Sequence, residues 1–172
     1  ELAGKNDVVN ITDVVFILAP RINAAGRIAS GNQSVELLLA KTFDEVDNVS
    51  KEIHLHNETR KGLDREITLE ALAQIEQDEF LQTASSTVVY HPDWHKGVVG
   101  IVASRLTEVY YRPTIVLTQS NGRAVGSARS IRGFNIYDAI AACDDLLDQF
   151  GGHSFAAGLS LPVEHVDKKK KK

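Results

Sequence analysis

Thr114-Ile115-Val116-Leu117-Thr118-Gln119-Ser120-Asn121-Gly122-Arg123-Ala124-Val125-Gly126-Ser127-Ala128-Arg129 is the stretch on which the fold turns. Thr114 to Thr118 and Arg123 to Arg129 read as two strands joined across Asn121-Gly122, the strongest short-range hairpin signal. Upstream, Thr87-Val88-Val89-Tyr90 is β-branched and aromatic, hence a strand. Between them, Val98 to Tyr110 carries apolar residues at 98, 102, 106 and 109, which predicts a helix. Downstream, Asn135 can cap a helix whose stripe is Ile136, Ile140, Cys143, Leu147 and Phe150, with Gly151 ending it. Phe155, Ala157, Leu159 and Leu161 then alternate as a last strand. The order β-α-β-β-α-β predicts an α/β domain over residues 83–165, a small mixed β-sheet with packed helices.

Working further upstream, residues 43–78 contain no proline and only one glycine, and they are rich in Glu, Lys, Leu and Ala. Val46, Val49, Ile53, Leu63 and Ile67 keep a three-and-four spacing. A helix of that length spans roughly 50 Å, more than a small domain needs, so it reads as a long connecting helix. Ser34 to Lys41 is a short helix, and residues 34–82 together form the connection. Residues 1–33 read as the end of an earlier body. Their apolar run Val14-Val15-Phe16-Ile17-Leu18-Ala19 leads into a small-residue loop, Pro20-Arg21-Ile22-Asn23-Ala24-Ala25-Gly26-Arg27. The chain opens on Glu1 and holds no methionine, which reads as a piece of a longer polypeptide.

At 43% hydrophobic and 24% charged, the 172 residues have the balance of a globular protein, which excludes disorder, collagen-like repeats and a disulfide scaffold. One cysteine and no secretion signal make the cytoplasm the expected compartment. The net charge of −4 is unevenly spread. Residues 36–80 carry 12 acids against 5 bases, whereas residues 91–135 carry 6 bases against 2 acids. A basic middle on an acidic chain points to a local anion site. The run Lys168–Lys172, residues 166–172 being a lysine-rich tail, reads as a solvated end.

Four segments suit phosphate better than they suit a core. Gly151-Gly152-His153 could let backbone amides approach an anion, with the imidazole as an added donor, or could be a helix cap followed by a surface histidine. In Gly126-Ser127-Ala128-Arg129-Ser130, strand period puts Ser127 and Arg129 on one face, where a hydroxyl and a guanidinium can grip one phosphate. Its small neighbours Gly126 and Ala128 favour close approach, although a polar strand end facing water has the same pattern. In His91-Pro92-Asp93-Trp94-His95-Lys96-Gly97, His95 and Lys96 stand at a helix N-terminus that favours anions. Pro92 argues against a zinc pair, and Trp94 either stacks on a base or covers the sheet. Arg21, Asn23 and Arg27 could touch a phosphodiester backbone or pair with the acidic helix. Cys143, on an apolar stripe, reads as core, and His54 and His56 as surface. There is no Gly-x-Ser-x-Gly elbow, Walker loop or His-Glu-x-x-His.

In order, Pro20 to Arg27, His95-Lys96-Gly97-Val98-Val99-Gly100-Ile101-Val102-Ala103-Ser104-Arg105, Gly126 to Ser130, Phe150-Gly151-Gly152-His153 and Ala156-Ala157-Gly158 resemble the RecJ family of single-stranded-DNA-specific exonucleases, which are DHH phosphoesterases. The resemblance runs from about Asp13 to His165. It implies a C-terminal fragment: residues 1–33 as the last strip of the DHH catalytic domain, then the connecting helices, then a DHH-associated substrate-binding domain at 83–165. No Asp-His-His occurs in the chain, so the family's metal ligands are absent from it. The resemblance further implies a parent that is a 5′→3′ exonuclease of recombination and repair, using a divalent metal (Mn or Mg) held by the other domain. Its partners would be single-stranded DNA with a 5′-phosphate, a single-strand-binding protein and a RecQ-type helicase. By position, Ser127 and Arg129, with Ala128 between them, would hold the terminal phosphate. His153, helped by Gly151 and Gly152, would act catalytically at the scissile phosphate, and Arg21, Asn23, Arg27 and His95 would complete the substrate set. The alternatives are an oligoribonucleotide or cyclic-dinucleotide phosphoesterase, or a non-catalytic RNA-binding module of the kind found in alanyl-tRNA synthetases.

Overall fold

The structure, a computed structural model, describes residues 8–166; the lysine run lies outside them. The chain divides into two compact units, Glu1–Leu63 and Asp64–Lys172.

In the first unit, α1 (Ile11–Asp13) opens on a reciprocal cap in which Asn10 and Asp13 each accept the other's backbone N–H at 3.0 Å. It passes through a π-helical turn, Val14–Leu18, into α2 (Ala19–Ile28). The segment from Pro20 to Arg27, expected to be a loop, is therefore helical. Pro20 falls where the π-helical turn passes into α2, and a widened turn is one way a continuous helix accommodates a residue that has no N–H to donate. Ala24 and Ala25 are fully buried there. α3 (Asn32–Leu39) is tied to α2 by the Ser34 hydroxyl, which donates to the Ile22 carbonyl at 2.7 Å. α4 (Phe43–Gln77) begins with Thr42 and Glu45 in a capping box: Glu45 accepts from the Lys41 and Thr42 amides, and the Thr42 hydroxyl accepts from the Glu45 amide. Its 35 residues match the long helix expected from the periodicity; α4 belongs to the first unit through Leu63 and to the second from Asp64.

The second unit is a five-stranded mixed sheet in the order β1-β2-β3-β5-β4, formed by β1 (Thr87–Tyr90), β2 (Thr114–Ser120), β3 (Arg123–Arg129), β4 (Gln149–His153) and β5 (Ala156–Pro162). β1 and β2 are parallel and joined by the crossover helix α6 (Val99–Tyr110); every other pairing is antiparallel. Asn121 and Gly122 take φ of 52° and 75°, as a type I′ turn requires. Between α4 and β1 lies the short α5 (Glu79–Thr83), capped by Asp78.

One difference from the sequence order carries the site. The helix expected over 136–150 ends early: α7 covers only Ile136–Ala141, capped by Asn135 as anticipated, and Gln149–His153 is a further strand. Gly151 is not a helix cap. Asp144 and Asp145 follow the helix where its negative end disfavours acids, and Phe150 instead pairs with Leu159 across the ladder.

Strand alternation sorts the two faces. One carries Ile115, Leu117, Ala124, Ala128, Ala157, Leu159 and Leu161, buried with Ile136 and Ile140 of α7. The other carries Val89, Val116 and Thr118 and packs on α6, which lies over β2 and β3. Cys143 is half-buried and free, a peripheral rather than a core residue.

Candidate functional site

The ladders set Arg129 opposite Ala156 and Ala156 opposite His153, with Ser127, Gly158 and Gly151 aligned in the same way one step along. Ser127–Ala128–Arg129 and Gly151–Gly152–His153, 24 residues apart in sequence, thus flank β5 in register. Backbones two strands apart are about 10 Å apart. Residues directly opposite share a face, so Ser127, Arg129, Ala156, Gly158, Gly151 and His153 all belong to the face that carries α6. Beyond α6 its floor is small: Gly151 and Gly158 are exposed, and a Cβ built on Gly151 would meet nothing within 4 Å. Gln149, Gly151, Gly158 and Ser160 line a shallow depression there.

Arg129 is held in place. Its Nε donates to the Ser104 hydroxyl at 3.2 Å and its Nη1 to the Ala128 carbonyl at 2.8 Å. Both of these acceptors are uncharged groups. Ala128 contributes through this carbonyl; its side chain is fully buried in the α7 core and faces away. Gly100, in the first turn of α6, lies over the pair, so that a Cβ there would stand 3.1 Å from Arg129 Nη2 and 3.2 Å from Ser127 Oγ.

His153 is exposed at the end of β4, and its Nδ1 accepts the Phe155 amide at 3.3 Å. In the neutral ring the proton then sits on Nε2, leaving that nitrogen as a donor. The turn is pinned from both sides, Ser154 O accepting from Ile136 N at 3.1 Å and Phe155 O from Ser130 N at 3.0 Å. Gly152 takes φ +149°; a Cβ there would collide with the Ala156 carbonyl and stand 2.6 Å from Ala157 Cα, so the strand passes only with glycine.

His95 lies in the loop entering α6, its Nδ1 accepting from Gly97 N at 3.1 Å and its carbonyl from Val98 N at 2.9 Å. The loop is fastened by Trp94, only 4% exposed, whose indole N–H donates to Glu70 at 2.6 Å. Thr118 donates to the carbonyls of Pro92 and Trp94. Trp94 also stacks on His91. It covers the sheet and is not available to stack on a base.

Three of the six bases in the basic middle do structural work. Arg105 makes a two-pronged pair with buried Asp64, both contacts at 2.8 Å, which raises the guanidinium pKa. Arg112, itself buried, donates to Thr87 Oγ1 at 2.7 Å and to the carbonyls of Leu81, Gln82 and Ala84, clasping α5 to β1. Arg123 pairs with Asp148 at 3.2 Å. Lys96, Arg129 and Arg132 are the bases of that stretch outside these three contacts.

In the first unit, helical spacing separates the three expected residues. Arg21 lies on the face of Ala24 and Ala25 and donates to the Ile17 carbonyl at 2.7 Å, whereas Asn23 and Arg27, one turn apart, are exposed on another face. Gly100, Ser104 and Glu70 join the site through contacts between distant segments. Among the described residues no group of three or more His, Cys, Asp or Glu could hold a metal, and no helix is long and apolar enough to cross a membrane.

The chain is 45% identical over 159 residues to the single-stranded-DNA-specific exonuclease RecJ of Bacillus subtilis, covering 91% of this chain and 20% of that protein. Crystalline RecJ from Thermus thermophilus in complex with Mg2+ superposes with a TM-score of 0.83 at 33% identity, over 93% of this chain and 24% of that one. An exonuclease RecJ bound to manganese gives 0.81 at 31%, over 94% and 40%. The chain thus spans a fifth of the length of the Bacillus relative. The profile of the DHHA1 domain matches residues 70–172, more than half of the sequence, and the chain belongs to the DHHA1 domain family.

Proposed function

We propose that this chain is the substrate-holding part of a RecJ-type 5′→3′ exonuclease, hydrolysing phosphodiesters of single-stranded DNA in recombination and repair. The observation that carries the reading is the register of the sheet, which brings Ser127 and Arg129 to one side of a bare glycine floor and His153 to the other. Arg129 presents a fork to the terminal phosphate, and Ser127 adds a hydroxyl. His153 donates from Nε2 to a non-bridging oxygen of the next phosphate and stabilises the charge that grows there as the bond breaks. Gly151 and Gly152 let the strand lie against backbone. His95, Lys96, Asn23, Arg21 and Arg27 extend the contacts to the rest of the DNA. The described residues do not offer a donor set for a divalent ion, so the Mg2+ or Mn2+ seen in the relatives would be bound by residues other than these. A RecQ-type helicase and a single-strand-binding protein are fitting partners, and the cytoplasm is the fitting compartment.

The test is digestion of 5′-phosphorylated single-stranded DNA by the full-length protein with manganese, with and without chelator. Stepwise, chelator-sensitive loss from the 5′ end is the expected result. Binding without digestion would overturn the nuclease reading and leave these groups as recognition residues.

A further inference from the structure

The terminal-phosphate reading leaves open what fixes the direction of the Arg129 fork. Free arginine side chains hold many rotamers, and a fork that must be ordered at the moment of binding loses affinity to entropy. The structure offers an ordering device on α6, a different element from the one that carries Arg129.

We infer that Ser104 and Gly100 are positioning residues which set the Arg129 guanidinium for an incoming phosphate. Their contribution would be specificity for phosphorylated ends. The Ser104 hydroxyl has one proton, and it donates that proton to the Gly100 carbonyl one turn back, at 3.2 Å. Its lone pairs are therefore the part left to face Arg129, and Nε donates to them at 3.2 Å. Nη1 is turned to the Ala128 carbonyl at 2.8 Å. With Nε and Nη1 held, the plane of the fork is set, and Nη2 lies against Gly100 on the side of Ser127 Oγ. Glycine at 100 leaves the room that this edge occupies: an alanine Cβ would come within 3.1 Å of Nη2 and 3.2 Å of Ser127 Oγ. The far end of a flexible arginine is the partner that gives way, so the fork moves and the helix does not.

This inference rests on the terminal-phosphate role of Arg129, and the experiment separates the two. In the full-length protein, under chelator so that nothing is cut, affinities for 5′-phosphorylated and 5′-hydroxyl oligothymidine are measured for Arg129→Ala, Ser104→Ala, Ser104→Thr, Gly100→Ala and the double variant Ser104→Ala/Arg129→Ala. Ser104→Ala is expected to lower the phosphate-to-hydroxyl affinity ratio about five- to tenfold, the scale of one hydrogen bond. Ser104→Thr, which keeps the hydroxyl, restores the ratio. The double variant falls no further than Arg129→Ala alone, because Ser104 acts through Arg129. Gly100→Ala keeps or raises the melting temperature, as alanine does in a helix, yet lowers the ratio, a divergence that a merely structural glycine would not produce. A ratio untouched by Arg129→Ala overturns the phosphate reading itself. A ratio lost in Arg129→Ala but kept in Ser104→Ala and Gly100→Ala overturns the positioning inference and leaves the phosphate reading standing.

Discussion

Gly151 and Gly152 are neighbours in one motif, and alanine at the two positions should have opposite consequences. At Gly152 the φ of +149° is one that L residues rarely adopt, which costs about 1–3 kcal/mol. The added Cβ would also stand 2.6 Å from Ala157 Cα and 2.9 Å from Ala157 Cβ, roughly 1 Å inside ordinary carbon contact. The obstructing atoms are backbone and a buried methyl of β5, so β4 must shift away from its partner; overpacking of this kind costs about 1–3 kcal/mol. Together these give about 2–6 kcal/mol, or about 8–24 °C in melting temperature at about 4 °C per kcal/mol for a domain of this size. At Gly151 a Cβ meets nothing within 4 Å, so Gly151→Ala should stay within about 0.5 kcal/mol of the parent. Its methyl instead enters the depression against which DNA would lie, and single-strand affinity falls. The assay is urea unfolding of the full chain followed by circular dichroism, paired with binding of oligothymidine. Equal midpoints for the two variants would refute the close-approach argument. Undiminished binding by Gly151→Ala would refute the bare floor as a contact surface.

Other substitutions test the remaining contacts. His153→Ala in the full-length protein should lower single-turnover cleavage about 10²-fold or more, the usual loss of a transition-state donor; unchanged cleavage would make His153 a turn residue. Arg112→Ala should destabilise the second unit by about 3 kcal/mol by releasing α5 from β1, read as a lower denaturant midpoint, and a change below about 0.5 kcal/mol would show that water replaces the clasp. Glu45 has its pKa lowered chiefly by the Lys41 and Thr42 amides, so its contribution to the cap is present above the ordinary glutamate range and disappears as pH falls through its own depressed value. Glu45→Ala should therefore reduce helicity at neutral pH and match the parent in strong acid; a difference that persists in acid would assign the effect to helix propensity.

The sheet was readable because its decisive signals are local. Asn121-Gly122 requires positive φ at both residues, and β-branched runs flank it, so no distant contact was needed to place β2 and β3. The α4 helix was readable from thirty-five residues without proline. β4 was not. Cys143, Leu147 and Phe150 continue the helical spacing begun by Ile136, and a strand containing Gly151 and Gly152 has no intrinsic preference for extension. It exists because β5 offers an edge, and that information lies in the partner strand. The helical state of Pro20–Arg27 was hidden for a different reason. Pro and Gly read as loop punctuation, yet Pro20 follows a π-helical turn within a continuous helix, and Ala24-Ala25 packs. Within the candidate site, Ser127 and Arg129 follow from the strand period alone. Gly100 and Ser104 needed the crossover that lays α6 on β3, which no spacing within either segment reveals.

That crossover also explains why this face has a bare half. Five strands spaced about 4.8 Å apart make a sheet roughly 19 Å wide, whereas one helix with its side chains is about 10–12 Å across. α6 packs on β2 and β3, where the apolar residues Val116 and Val89 lie beneath it. On the same face β5 and β4 present Ala156, Gly158, Ser160, Gln149, Gly151 and His153, none of them a large apolar residue. Left uncovered, Val or Leu at those positions would cost about 25 cal/mol for each Å² of apolar surface kept in water; glycine and short polar residues cost little. The opposite face of the same strands carries Leu159 and Leu161, which α7 covers. Alternation therefore divides β5 in two: one set of side chains packs in the core with α7, and the other leaves a low surface on which the proposed DNA strand would lie. The glycines divide likewise. At Gly126 a Cβ would collide with the Val116 carbonyl, and at Gly152 with that of Ala156, so both are needed for the strands to pack. At Gly151 a Cβ would meet no neighbour, and at Gly158 only the Gly126 carbonyl at 3.9 Å, so folding does not demand glycine at either. Their smallness leaves the depression open, as the proposed contact with single-stranded DNA requires.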